Sequence, residues 1–337
     1  MVDRFANLMK LKMGRNPSVD VTTSISSLID ACKFYYEKDD AIAYIAGSTV
    51  KAGAGVDETN AIYIADLEQT DHTFNLLLVR GDPSKGVPGF VNTKTRKVTT
   101  IESDEPGVVR AVSCHLVFST QEIAAGGDQG RYRMVMEQAT GIGRALARDF
   151  IGKLLARYAE DHPEKFLAEK KRTKKGEKPE QIQYRPTVRF NPQENANLKD
   201  DLKNGKVGGF KLVRGKTDFK GEADEPLIQK MDVELHAKIV PTANFGKVRS
   251  LVDHLRQQLE RIDFEDLRLE LIDEGGHPIT GAGAINLDEL EDEADMRYCK
   301  KMSISGLKET PKECYDEFYE PIIKFAVKAL SNENHWK

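Results

Sequence analysis

The chain has 337 residues and a mass of 37.7 kDa, with 39% hydrophobic residues, 31% charged residues and a formal net charge of -4. A chain of this length can bury a sizeable core and is typically divided into two domains. No apolar run approaches the roughly 18 residues that a membrane-spanning helix needs. The N-terminus also lacks the apolar core and cleavage site of a secretory signal. We therefore expect a cytoplasmic protein without membrane insertion.

The first half of the chain predicts two helices and a set of short strands. Residues 18–37 carry apolar side chains at helical spacing. The segments "DAIAYIAG", "NAIYIADLEQ", "TFNLLLVRGD", "KVTTIES" and "AVSCHLVFS" are rich in Ile, Val, Tyr and Phe and predict an antiparallel sheet. A second helix follows the sequence "QATGIG". Its predicted apolar stripe consists of Ala147, Phe150, Ile151, Leu154, Leu155 and Tyr158.

The second half predicts another group of strands and helices. The segments "PTVRF", "FKLVRG", "KMDVELHAKIVP" and "DLRLELID" are typical of strands. The segments "GKVRSLVDHLRQQLERI" and "CYDEFYEPIIKFAVKAL" are typical of helices, with Pro321 at a start or a kink. The predicted fold class is α+β, with two domains that each contain a mainly antiparallel sheet and packed helices. The predicted bounds are 1–165 for the first domain, 166–182 for a basic linker or loop, and 183–337 for a second domain with an acidic surface.

Charge is unevenly distributed along the chain. Residues 163–220 carry sixteen Lys and Arg against eight Asp and Glu, whereas residues 221–337 carry fifteen against twenty-five. The stretch "EKKRTKKGEKP" has no apolar residue to anchor it. It is either a solvated linker or a strip that attracts phosphates without reading sequence. The cations of this basic strip are Lys170, Lys171, Arg172, Lys174 and Lys175.

The turn "ATGIG", which contains Gly141 and Gly143, has three interpretations. A dinucleotide-binding turn would need a buried strand before it and one more glycine, but the required position is Ala139. A helix-hairpin-helix would use backbone amides to hold a DNA phosphate, with Arg144 and Arg148 adding positive charge near the helix start. The third interpretation is a turn in which glycine only allows the helix to pack on the sheet.

The phosphate-binding interpretation defines candidate site residues at the turn and in the basic strip. At the turn they are Thr140, Gly141, Gly143, Arg144 and Arg148. In the strip they are the five cations named above. Nothing in the sequence indicates a cofactor, so we expect none.

A metal site and nucleophilic catalysis have weaker support in the sequence. Strand alternation places Asp232, Glu234, His236 and Lys238 on one face, a set that resembles the carboxylates and lysine of metal-dependent nucleases. The outward polar face of an edge or half-covered strand explains the same pattern. The four cysteines have no paired spacing, which predicts reduced, structural thiols.

The segments "AVSCHLVFSTQE" and "YRMVMEQATGIG", with the helix that follows, resemble uncharacterised proteins encoded in bacterial anti-phage defence loci. The resemblance covers about residues 60–160. It implies the biological system in which the protein acts but no reaction and no functional residues. The sequence therefore predicts a non-catalytic DNA-binding component of a bacterial anti-phage defence or DNA-maintenance system. The alternatives are a metal-dependent nuclease or phosphodiesterase and a protein-binding scaffold. Expected partners are DNA or another nucleic acid, a protein from the same operon, and further copies of the chain in a homo-oligomer.

Overall fold

The computed structural model describes residues 4–17, 19, 21–45, 58–86, 88–100, 105, 107–169, 181–193, 207–216, 231–238, 266–271, 299–305, 307 and 309–336. For residues 207–216, 231–238 and 266–271 only the backbone is described. The described residues form antiparallel sheets and three α-helices, so the protein is α+β, as predicted.

The three α-helices are α1 (Ile25–Tyr36), α2 (Arg144–Asp161) and α3 (Glu320–Ser331). The strands of the first half are β1 (Phe5–Asn16), β2 (Ile42–Tyr44), β3 (Ala61–Gln69), β4 (Thr73–Gly81), β5 (Gly89–Asn92), β6 (Lys97–Thr100), β7 (Ala111–Glu122) and β8 (Arg131–Glu137). The strands of the second half are β9 (Leu167–Glu169), β10 (Gln181–Gln183), β11 (Arg185–Pro192), β12 (Val207–Lys216), β13 (Met231–Lys238), β14 (Asp266–Leu271) and β15 (Lys301–Ser303).

The main sheet has the strand order β11-β1-β8-β7-β4-β3-β2, with β15 beside part of β1, and every pair is antiparallel. The succession β1, α1, β7, β8, α2, β11 is a split β-α-β arrangement, β-α-β-β-α-β, in which β1 lies between β8 and β11. Strands β2, β3 and β4 are inserted after α1 and extend the sheet beyond β7. Outside this sheet, β5 pairs with β6 and β9 with β10.

One face of the main sheet is covered by α1 and α2. The apolar stripe predicted for α2 is buried at every position, and Ile25, Leu28, Ile29 and Cys32 of α1 are buried as well. On β1, the buried residues Met9, Leu11 and Met13 alternate with Leu8 and the other side chains of the opposite face, so they point to this one. The hydrophobic effect therefore holds both helices on this face.

The opposite face is covered by α3 only in part. Pro321 lies in the first turn of α3, where its missing N–H breaks no helical hydrogen bond, so the predicted start is confirmed. Ile322, Ala326 and Leu330 of the helix pack with Leu8 and Val135 of the sheet. Beyond Leu8, the same face of β1 carries Lys10 and Lys12 instead of apolar residues. This end of the face is polar.

Two compact units make up the chain. Unit 1 contains residues 1–193 and 299–337, and unit 2 contains residues 194–298. Within unit 1, the amide of Lys300 donates to the carbonyl of Gln193 over 2.7 Å, so the chain leaves and re-enters unit 1 at neighbouring positions. Unit 2 is therefore inserted between Gln193 and Cys299.

These units have different bounds from the predicted domains. The predicted linker, residues 166–182, lies inside unit 1, because β11 follows it and pairs with β1 over eight residue pairs. Residues 299–337 also belong to unit 1, where β15 pairs with β1 and α3 packs on the sheet. Such pairings join residues far apart in sequence, so composition along the chain does not reveal them.

Unit 2 contains a three-stranded antiparallel sheet in the order β13-β12-β14. All three strands were predicted from the sequence. The predicted helix "GKVRSLVDHLRQQLERI" lies outside the described residues.

Candidate nucleic-acid interface

The glycine turn connects β8 to α2 and packs against the sheet. Gly141 has a φ of +108°, in the left-handed region, and a Cβ at this position would lie 3.2 Å from Cγ2 of Val112. Its carbonyl accepts a hydrogen bond of 2.6 Å from Nη1 of Arg80. Thr140 is exposed, and an isolated β-bridge joins Ala139 to Ile142. Glycine is required at 141 by conformation and by close packing.

The element before this turn is the strand β8, so the turn does not lie between two helices. A helix-hairpin-helix therefore does not form here, and the packing interpretation accounts for the geometry. Gly143 differs from Gly141, because it has an extended backbone at the N-cap of α2 and a Cβ at this position would meet no atom within 4 Å.

The two arginines after the turn lie in different environments. Arg144 is only 9% exposed, and its Nη1 donates to the carbonyl of Phe190 on β11 over 3.1 Å. Arg148 is half-buried and forms an ion pair of 2.9 Å with Asp149. Arg144 thus connects α2 to the edge strand, and replacing it is expected to lower stability as well as any ligand affinity.

The five cations of the basic strip, Lys170, Lys171, Arg172, Lys174 and Lys175, lie outside the described residues. The residues on either side of them are described. Glu169 pairs with Gln181 where β9 and β10 meet, so the two residues that flank the segment with the basic strip are neighbours in space. Strand β10 then leads directly into β11.

A row of three cations crosses the polar end of the main sheet. Lys12 of β1 lies directly opposite Arg131 of β8 on one side and directly opposite Arg189 of β11 on the other. Residues opposite each other in antiparallel strands point to the same face, with Cβ atoms about 4.5–5.5 Å apart. Lys12 and Arg189 are exposed, and the side chain of Arg131 is 30% exposed. We call Arg131, Lys12 and Arg189 the basic row.

The basic row lies on the face opposite α1 and α2. Exposed cations on neighbouring strands raise the positive potential of the surface between them, and this attracts anions. Arg131 of the row forms an ion pair of 2.7 Å with Asp128, which also pairs with Lys10, and the neighbouring Arg133 pairs with Glu333 over 2.6 Å. Lys12 and Arg189 are the exposed cations of the row, and they make it a candidate site for phosphate on this face.

Sequence reasoning missed the basic row. Its members lie on three strands that are distant in sequence, and only the register of the sheet brings them together. The segment "LMKLKM" contained a partial signal, since its alternation places Lys10 and Lys12 on one face of a strand. The strand β1 itself was not predicted.

The polar residues Asp232, Glu234, His236 and Lys238 lie on β13, an edge strand of the sheet of unit 2. They alternate along the strand, and their partners on β12 are Gly215, Val213, Lys211 and Gly209. Within the part of the chain that the structure describes, no three His, Cys, Asp or Glu side chains are placed to hold a metal ion.

A cluster of buried charges lies under the segment that leads into α3. Nδ1 of His115 is 2.6 Å from Oε2 of Glu137, and Oε1 of Glu137 accepts a hydrogen bond from Arg4. Nε2 of His115 accepts from the amide of Tyr319 over 3.1 Å, so Nδ1 carries the proton and donates to Glu137. His115 and Glu137 are each 1% exposed. The cluster holds the C-terminal segment on the sheet and is closed to substrate.

All four cysteines are free thiols, and Cys32, Cys114 and Cys299 are buried. Burial raises the pKa of Cys299 to about 11, and burial together with the Glu137 carboxylate raises the pKa of Cys114 well above its ordinary value. Burial and the acidic neighbours Asp316 and Glu313 also raise the pKa of Cys314. These thiols are protonated at neutral pH, which makes them poor nucleophiles.

None of the helices in the described ranges combines the length and the apolar character that crossing a membrane requires. Comparison of the chain with protein-family models, with curated proteins and with solved structures finds no match.

Proposed function

We propose that this protein is a non-catalytic nucleic-acid-binding component that holds the phosphate backbone on the basic row. The observation that carries the proposal is the side-by-side placement of Arg131, Lys12 and Arg189 on the polar end of the main sheet. Cations in such a row attract phosphates of any sequence and position the backbone without reading bases. DNA is the first candidate, in the anti-phage defence or DNA-maintenance setting that the sequence resemblance implies.

The basic strip supports the same proposal. Its five cations belong to the segment between Glu169 and Gln181, and the chain then continues through β10 into β11, which carries Arg189 of the basic row. Two groups of cations close together along the chain favour contacts with several phosphates of one ligand. Because each contact releases counterions, the affinity depends steeply on salt.

The dependence of affinity on salt tests the proposal. The double variant Lys12→Gln with Arg189→Gln removes two cations of the basic row, and we expect the slope of log affinity against log salt for duplex DNA to fall by about 0.9 per lost contact. Replacing Lys170, Lys171, Lys174 and Lys175 with Gln should flatten the slope further. The measurement is fluorescence anisotropy of a labelled duplex over a series of salt concentrations.

The matched control is Lys38→Gln with Lys153→Gln. Both lysines are exposed and belong to the helical side of unit 1, so this variant loses the same charge away from the basic row. Its salt slope should equal that of the wild type. Equal slopes for the control and the basic-row variant would contradict the proposal. Magnesium-dependent cleavage of the DNA that disappears in Asp232→Asn with Glu234→Gln would show a nuclease instead.

A further inference from the structure

A cavity of about 460 Å³ opens beside the basic row, within unit 1. Lys10 of β1 and Arg133 of β8 lie on its sheet side. The connection between β7 and β8 forms one wall, and residues after α3, including Trp336, form another. A volume in this range is typical of sites that hold a small molecule or one group of a larger ligand.

The charges that line the cavity do not suit a phosphate. Lys10 and Arg133 are the only cations among its described lining residues, and Glu122, Asp128 and Glu333 contribute three carboxylates. Two of these carboxylates already pair with the two cations. The surroundings offer hydrogen-bond donors and acceptors without an excess of positive charge. That combination matches the edge of a nucleobase, which presents both kinds of group.

Arg133 supports an aromatic ligand at this position. Its guanidinium lies 5.5 Å from the ring of Trp336, and its Nη1 donates to the carbonyl of Leu330 over 3.2 Å. Its Nε is buried and has no acceptor among the residues that the structure describes. Guanidinium planes held in this way are surfaces on which unpaired bases stack in protein complexes with single strands.

The register of the sheet places the cavity next to the basic row. Lys10 and Lys12 are two residues apart on β1, and Arg133 and Arg131 are two residues apart on β8, so each pair points to the same face. The separation within each pair is about 7 Å along the strand. A nucleotide whose phosphate contacts the basic row can reach the cavity with its base.

We infer that the cavity receives one unpaired base of a nucleic-acid strand whose phosphates lie on the basic row, which makes single strands the preferred ligand. This inference rests on the proposed function and names its ligand class. A base within a duplex is stacked and paired, so it would have to leave the helix before it could enter the cavity.

Three DNA probes of equal length test the inference: a single strand, the same strand with abasic sites at every position, and the duplex. The abasic strand keeps every phosphate, so it measures the basic row alone. We expect wild-type protein at low salt to bind the intact single strand about tenfold more tightly than the abasic strand. Ala125 lines the cavity, and in Ala125→Trp the larger side chain should occupy the space that the base needs. The affinity for the intact strand should then fall to that for the abasic strand.

Gln129→Trp is the matched control, because Gln129 is exposed in the same connection but does not line the cavity. It should keep the tenfold preference. Equal binding of intact and abasic strands by the wild type would overturn the base site and leave the phosphate proposal standing. Failure to bind any probe would overturn both. Displacement of the strand by micromolar free deoxynucleoside monophosphates would overturn a strand site in favour of a free-nucleotide site.

Discussion

At the scale of single residues, Glu137 is the centre of a buried hydrogen-bond network. Its carboxylate accepts hydrogen bonds from Arg4, from the ring of His115 and from the amide of His115, the last over 3.1 Å. Arg4 also donates to the carbonyl of Lys312, and His115 accepts from Tyr319. Buried charges of this kind are tolerated only when each is paired and hydrogen-bonded.

Removing the charge of Glu137 should therefore be costly. We expect Glu137→Gln to lower the free energy of unfolding by about 3–5 kcal/mol, because Arg4 loses its buried counterion. Chemical denaturation followed by circular dichroism measures the change. Arg110→Gln is the control, since it breaks the exposed ion pair of Arg110 with Glu313 and should cost less than about 1 kcal/mol. Similar losses in both variants would show that the buried cluster contributes little.

The buried cluster could not be predicted from the sequence. His115 and Glu137 lie in segments whose strand character was visible, but nothing local indicates that their side chains meet. They come together because Leu116 of β7 lies opposite Met136 of β8, next to His115 and Glu137, and because the segment before α3 folds over them. Charged residues in strands usually face water, and here tertiary contacts reverse that preference.

At the scale of elements, the turn between β8 and α2 shows why two glycines close in sequence differ in role. Gly141 has a positive φ and lies against Val112, whereas Gly143 is an extended N-cap without a side-chain cap. In the sequence the two glycines are indistinguishable members of one turn. Only the backbone conformation separates the glycine that the fold requires from the one that it tolerates.

The same substitution at both positions tests this difference. We expect Gly141→Ser to lower the free energy of unfolding by about 1–3 kcal/mol, through the positive φ and the contact with Val112. Gly143→Ser should be neutral or stabilising by a few tenths of a kcal/mol, because serine is a preferred N-cap residue. Thermal and chemical unfolding of the two variants measure both effects. A larger loss in Gly143→Ser than in Gly141→Ser would refute this assignment.

Helices and strands with strong periodicity were predicted correctly, including α1, α2, β4 and β7. Strand β1 was missed, although it is the strand that pairs with β8, β11 and β15. Its sequence "FANLMKLKMGRN" mixes Asn, Lys and Met in a way that is weak as a strand signal. Its partners on both sides stabilise it as a strand, and they come from distant parts of the chain.

At the scale of the whole molecule, unit 1 is interrupted by an insertion. Strand β11 precedes unit 2 in the chain, whereas β15 and α3 follow it. The two ends of the insertion are neighbours in space. Insertions with close ends are tolerated because they leave the host core intact. Among the residues whose burial is described, the core of unit 1 is formed by residues of unit 1 alone.

We therefore expect unit 1 to fold without the insertion. Replacing residues 194–298 with a short Gly-Ser linker should give a protein with one cooperative thermal transition and a near-ultraviolet circular dichroism signal from Trp336. The full-length chain is the reference. Because the basic row lies wholly in unit 1, the shortened protein should also keep the salt slope that the basic row contributes. Aggregation or loss of cooperative unfolding would show that unit 2 is required for the core.

The sequence by itself determined the α+β class, most of the helices and strands, and the concentration of positive charge in residues 163–220. These properties follow from local periodicity and composition, which act over a few neighbouring residues. Only the tertiary structure decided the bounds of the two units, the roles of the two glycines, the burial of Arg144 and the existence of the basic row. The basic row depends on the register between strands that are distant in sequence, and a shift of one residue would move Lys12, Arg131 and Arg189 to different faces.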